Sequence, residues 1–155
     1  MIYVVEKVRL DVPVAVAWEW LADLEWLATV GVFHHRARFV GERRQGVGTR
    51  LILEHRLIAG PVFPRLLRVT HWDEQRRVRW TEIDPHLTRY LFPHSQQFLL
   101  EPLGAAATLL TDEVRGTFNL PLLRDPTDKL AEWLTVRRAV RLECAHFRRR
   151  ARGTG

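Results

Sequence analysis

The amino-acid sequence predicts an α+β domain with an antiparallel sheet of about seven strands, two short helices after the first strand, and one long C-terminal helix. Three observations carry this reading. The chain opens on a β-branched run that stops at an Asp-x-Pro signal, its middle alternates apolar and polar side chains with period two, and its end returns to helical spacing. With 155 residues and 18.2 kDa it is long enough for one self-sufficient core and too short for two domains. Residues 1–150 are read as that domain and 151–155 as a frayed tail.

IYVVEKVRL, residues 2–10, reads as a strand, with Val8 and Leu10 alternating against Lys7 and Arg9. Asp11 and Pro13 then open a helix, because a carboxylate can accept from unpaired backbone N–H groups and proline suits a first turn. Asp23 offers a second cap inside DVPVAVAWEWLADLEWL, so two short helices are expected there. RARFVGE and TRLILEHRL follow as strands around the Gly-rich QGVGT. Leu51, Leu53, His55 and Leu57 share one face of the second. RLLRVTHW and RVRWTEI form a hairpin across DEQR. HSQQFLLEPL and ATLLTDEVRGTFNL turn at Gly104, with Thr108, Leu110, Asp112 and Val114 on one face. Asp125, Pro126 and Asp128 mark the start of the final helix, and Leu130, Trp133, Leu134, Val140, Cys144 and Phe147 give it an apolar stripe.

Hydrophobic residues make up 46% of the chain and charged residues 27%, which excludes a disordered protein. No apolar run approaches the roughly 20 residues that cross a bilayer, and Glu6 and Lys7 break what a secretory signal would keep apolar, so a cytoplasmic location is expected. The single cysteine, Cys144, leaves no internal disulfide and no cysteine-based metal site. Net charge is +6, and the chain from Arg124 onward holds nine basic and four acidic residues, so +5 of it belongs to the C-terminal fifth. Cations there complement the negative end of a helix dipole. Arg148, Arg149 and Arg150 could also touch an anionic membrane surface weakly. No specific nucleic acid is expected, since stacking aromatics do not accompany the charge. There is no HExxH spacing among the seven histidines, no complete GxGxxG, no GxxxxGK and no GxSxG. Neither a metal nor an organic cofactor is expected.

The segments KVRLDVPVAVAWEWLAD, GVGTRLILEHRL, RVTHWDEQRRVRW and FLLEPLGAAATLLTDEVRGTF, in this order before a long helix, resemble the START-like (SRPBCC, helix-grip) superfamily over nearly the whole chain. HSQQFLLEP followed by LLTDEV is most similar to its polyketide cyclase/dehydrase and lipid-transfer branch. The resemblance implies a curved sheet gripping the C-terminal helix around a cavity for a lipid, sterol-like or polyketide-like molecule. On that reading Trp80, Phe98, Leu100, Leu110 and Trp133, with Trp18 and Phe33 near the helical entrance, are candidate lining residues. Their plainer reading is a solid core.

Alternation sends His55 and Asp112 inward, and His71 is a further candidate. A histidine beside a carboxylate can serve as acid or base near neutral pH. These three are the candidate catalytic residues, and His55 and Asp112 are equally candidates for orienting a ligand. Against this stands a buried, satisfied polar pair that serves packing alone. Three functions therefore stay open: a carrier or sensor of a hydrophobic small molecule, a cofactor-independent cyclase or dehydratase, and an interaction protein using its basic C-terminal end.

Overall fold

The structure is a computed structural model that describes residues 1–56, 62–83, 93–117, 129–130 and 132–153; of Glu132 and Trp133 it describes the backbone. The chain forms β1 (Ile2–Leu10), α1 (Val14–Ala22), α2 (Leu24–Val30), β2 (His34–Val40), β3 (Arg50–Arg56), β4 (Val62–Asp73), β5 (Arg77–Glu82), β6 (His94–Pro102) and β7 (Thr108–Gly116). A π-helical turn over Glu132–Val136 then leads into α3 (Arg137–Gly153). The seven strands make one curved antiparallel sheet in the order β1-β7-β6-β5-β4-β3-β2. Strands β2 to β7 run as a meander, and β1 closes against β7 with Glu6 directly opposite Asp112.

Helix α1 starts without the expected carboxylate cap: its N-cap is Pro13, and Asp11 instead accepts from Arg9 Nε at 3.1 Å. The break at Asp23 does form, with its Oδ1 accepting from the Trp26 backbone N–H at 3.0 Å. The inward faces of the strands and helices meet in one main core. It runs from Val8 and Leu10 through Leu21 and Leu27 to Leu53, Leu67, Trp80, Phe98, Leu110 and Phe147.

Local irregularities decide where several side chains point, among them a register shift between His34 and Arg36 on β2. Between Val69 and His71 the β4–β5 register slips by one residue. The inward series Arg65, Leu67, Val69 therefore continues at Trp72, which packs edge-on against Trp18 at 5.2 Å between ring centres. His71 pairs with Arg79, between the buried Val78 and Trp80, and so lies on the outer face. The π turn likewise resets the phase of the last helix. Val140, Cys144 and Phe147 are buried as the stripe predicts, whereas Leu130 and Leu134 are exposed. A stripe of 3.6 residues per turn does not continue through a π turn, which advances more slowly around the axis. The expected helix start at 125–128 lies outside the described residues. Helix α3 continues to Gly153, past the point where fraying was expected, with Ala151 buried.

Candidate ligand site

The concave face has an aromatic centre. Trp80 meets Phe98 edge-on at 5.8 Å, Phe98 meets Phe147 of α3 at 5.8 Å, and Phe147 meets Trp26 of α2 at 5.3 Å. Leu100 and Leu110 are buried beside them. At this point the candidate lining residues touch one another. Trp18 is half-buried against Trp72, and Phe33 borders a hollow of about 240 Å³ with Val32, His34, His35 and Arg56. Trp133 falls in the π turn.

Two groups of buried polar side chains lie beside this centre, adjoining on β6 through Gln96 and His94. Under α3, Gln96 of β6 donates through Nε2 to Asp112 Oδ1 at 3.0 Å and to Glu143 Oε2 at 2.6 Å. All three residues are buried. Burial and the neighbouring Glu143 carboxyl hold Asp112 well above the usual carboxylate range, and burial raises Glu143 as well. Asp112 Oδ2 has no hydrogen-bond partner among the described residues, and the Glu143 carboxyl is the acid that raises Asp112 further. Both acids are thus biased toward the protonated form, in which one can donate to the other. Glu6, opposite Asp112, is bound at 2.9 Å by Arg141 Nε. Burial beside these carboxyls pushes the Cys144 thiol up, which keeps it unreactive.

The second group lies toward the far end of the strands. His34 of β2 and His55 of β3 face each other edge-on at 4.7 Å, and His94 of β6 is 6.0 Å from His55. Arg65 of β4 donates through Nη1 to Glu82 Oε2 at 3.0 Å and to His94 Nδ1 at 3.1 Å. The Arg65 and Glu82 side chains are only 4% and 1% exposed, so this is a buried ion pair. Desolvation lowers His34 from 6.5 to about 4, with the field of Arg65 adding to it and the Ala28 carbonyl opposing it. His55 is lowered further by burial, by His34 and by Arg65. Both rings are neutral at physiological pH. His34 fits because residue 31 is glycine: a Cβ on Gly31 would lie 2.3 Å from the imidazole.

Asp112 and His55 are thus in different groups. Their strands stand four spacings apart, about 19 Å along a flat sheet. Among the described residues the bonds of Asp112 run to Gln96 and Glu143 alone, and no histidine–aspartate pair forms with His55 or His71. The basic tail is also not one surface: the Arg150 guanidinium sits 4.0 Å over the Trp26 ring, while Arg148 and Arg149 face solvent. Among the described residues no cluster suited to a metal occurs and no helix is long and apolar enough to cross a membrane.

Gln96, Glu143, His34, Arg65, Glu82 and His94 complete these groups, and sequence reasoning missed all six. The signal was phase for all but His34, which a register shift before Arg36 puts out of period with Ala37 and Phe39. His94 and Gln96 precede Phe98 and Leu100 at period two, Arg65 precedes Leu67, and Glu82 follows Trp80. Glu143 lies three residues after Val140 and four before Phe147.

No family model and no curated protein matches the sequence. Solved structures do match in shape. The TTHA0849 protein of Thermus thermophilus is 17% identical, with a TM-score of 0.76 and 99% of each chain covered. The Zhui aromatase/cyclase of a Streptomyces species is 20% identical at a TM-score of 0.69, covering 99% of this chain and 97% of that one. Major latex-like protein 151 of Panax ginseng is 15% identical at 0.63, covering 94% and 96%. The fold is START-like. A START-like sheet gripping its last helix is the frame that holds both polar groups on the concave side. At these identities the likeness speaks for the frame and leaves function to the site.

Proposed function

We propose that the protein binds a hydrophobic small molecule, lipid-, sterol- or polyketide-like, between the sheet and the C-terminal helix, as a carrier or sensor. The observation that carries this reading is the group His34, His55, Arg65, Glu82 and His94, set in phase with buried leucines on the inward face. Replacing a buried ion pair by apolar residues is often neutral or stabilising, so stability alone does not account for the group. A few convergent polar side chains against apolar surface are what orienting a ligand requires. The ring contacts from Trp80 to Phe147 occupy the centre of the concave face, which directs the guest to the strand ends beside this group. Burial of apolar ligand area, at about 25 cal/mol per Å², drives binding.

The relative named an aromatase/cyclase keeps catalysis in view for the fold. The acid–base pair such chemistry would use here, Asp112 with His55 or His71, does not assemble, and the carrier or sensor reading is therefore preferred. Native mass spectrometry of the protein purified from its own host tests it. A bound apolar molecule of defined mass, released on denaturation, is the expected result; the bare polypeptide mass in every preparation would argue against it.

A further inference from the structure

The histidine–arginine group has a definite hydrogen-bonding polarity. His34 Nδ1 lies 2.8 Å from the Ala28 carbonyl oxygen. A carbonyl only accepts, so the ring proton sits on Nδ1 and the lone pair on Nε2. His55 Nδ1 faces the Leu53 carbonyl at 3.4 Å and follows the same assignment. Two neutral imidazoles in edge-on contact thus present acceptor nitrogens. On the other side the polarity reverses. His94 Nδ1 accepts from Arg65, which places the His94 proton on Nε2, and Arg65 is itself a donor.

Charge points the same way. The Arg65 cation is matched at 3.0 Å by the Glu82 carboxylate, both almost wholly buried. The charged or titratable groups assembled here are His34 from β2, His55 from β3, Arg65 from β4, Glu82 from β5 and His94 from β6, with His35 and Arg56 at the rim of the Phe33 hollow. An arriving carboxylate would meet an arginine already neutralised and two acceptor nitrogens that repel it. A ketone or an ether would offer those nitrogens no proton.

Resting on the ligand-binding reading above, we infer that this end of the concave face receives an uncharged hydroxyl, an alcohol or phenol on an apolar body, whose O–H donates to the imidazole of His34 or His55. The substrate class is thereby narrowed from any apolar molecule to hydroxylated ones. Fatty acids and other carboxylates are selected against.

Calorimetric titration near neutral pH with three nearly isosteric probes tests this: β-naphthol, its methyl ether and β-naphthoate. β-Naphthol should bind about tenfold tighter than either, the difference made by one donated hydrogen bond to a buried acceptor. His34→Phe and His55→Phe, each checked for folding by its melting curve, should leave the ether within about threefold of wild type. At least one of them should reduce the naphthol-over-ether ratio to about two or less. Gly31→Ala provides a third route, because its methyl group displaces the His34 ring without removing it. Equal binding of all three probes, or a ratio that survives every folded variant, overturns the hydroxyl assignment while leaving the apolar site standing. Tightest binding by β-naphthoate, strengthening as pH falls, overturns it by showing that a protonated histidine supplies charge. Binding of none of the three defeats the apolar-site reading, and the hydroxyl assignment with it.

Discussion

The two polar groups of the concave face solve the problem of burial in opposite ways. Under α3, Gln96, Asp112 and Glu143 gather two acids around one amide with no cation among them; Arg141 of the same helix is engaged with Glu6. At the strand ends, Arg65 and Glu82 cancel each other and the imidazoles stay neutral. The first group is satisfied by a proton, the second by an ion pair. One therefore ties a helix to the sheet in a pH-dependent way, and the other forms a charge-balanced polar wall.

Separating the ion pair should have the largest effect. Arg65→Met takes the Arg65 cation from the buried Glu82 carboxylate and should cost about 3–5 kcal/mol in denaturant unfolding, most of it recovered in Arg65→Met/Glu82→Leu. Recovery in the double variant would show that the wall contributes little net stability, as a binding role requires. Truncating the aromatic centre comes next: Phe98→Ala removes contacts to Trp80 and Phe147 and should cost about 3–4 kcal/mol by the same assay.

The pH responses should have opposite signs. His34 and His55 titrate lower in the folded state than unfolded, so the native state holds fewer protons. Stability is fully present above 6.5 and falls as pH drops toward about 4, the His34 value, by about 1.4 kcal/mol per unit for each histidine. Asp112 and Glu143 titrate higher when folded, so the native state holds more protons and stability is lost as pH rises above the ordinary carboxylate range. Asp112→Asn supplies a permanent N–H toward Glu143. It should raise the melting temperature relative to wild type at about pH 8 and change it little at about pH 5, since the shared proton is needed only in the wild type. At the other group, His34→Phe should flatten the acid limb. The smallest effect is expected at Arg150→Ala, about 0.5–1 kcal/mol through loss of the stacking on Trp26.

Which parts of this were legible in the sequence follows from which signals are local. Strand faces came from alternation, and the faces of β3, β5 and β7 that bury Leu53, Trp80 and Asp112 were read in the observed phase. The helix break was written in Asp23, whose side chain caps its own neighbour. The bulge at Thr70 was not legible. It depends on how β4 meets β5, and it turns His71 to the outer face. The π turn had the same consequence for Leu130 and Leu134. The two groups needed residues from six strands, β2 to β7, and from α3 to converge. Phase could place His94, Gln96, Arg65 and Glu143 inward one by one, but only the strand order set Gln96 between two acids and Arg65 between Glu82 and His94.

Nitrogen-resolved NMR of the histidine rings during titration with β-naphthol is the most direct test of where the guest sits. The account predicts large shifts of the His34 and His55 ring nitrogens that saturate together. The rings of His71 and His146, away from the buried group, should stay in place. Saturating shifts at His71 or His146 with none at His34 and His55 would contradict it.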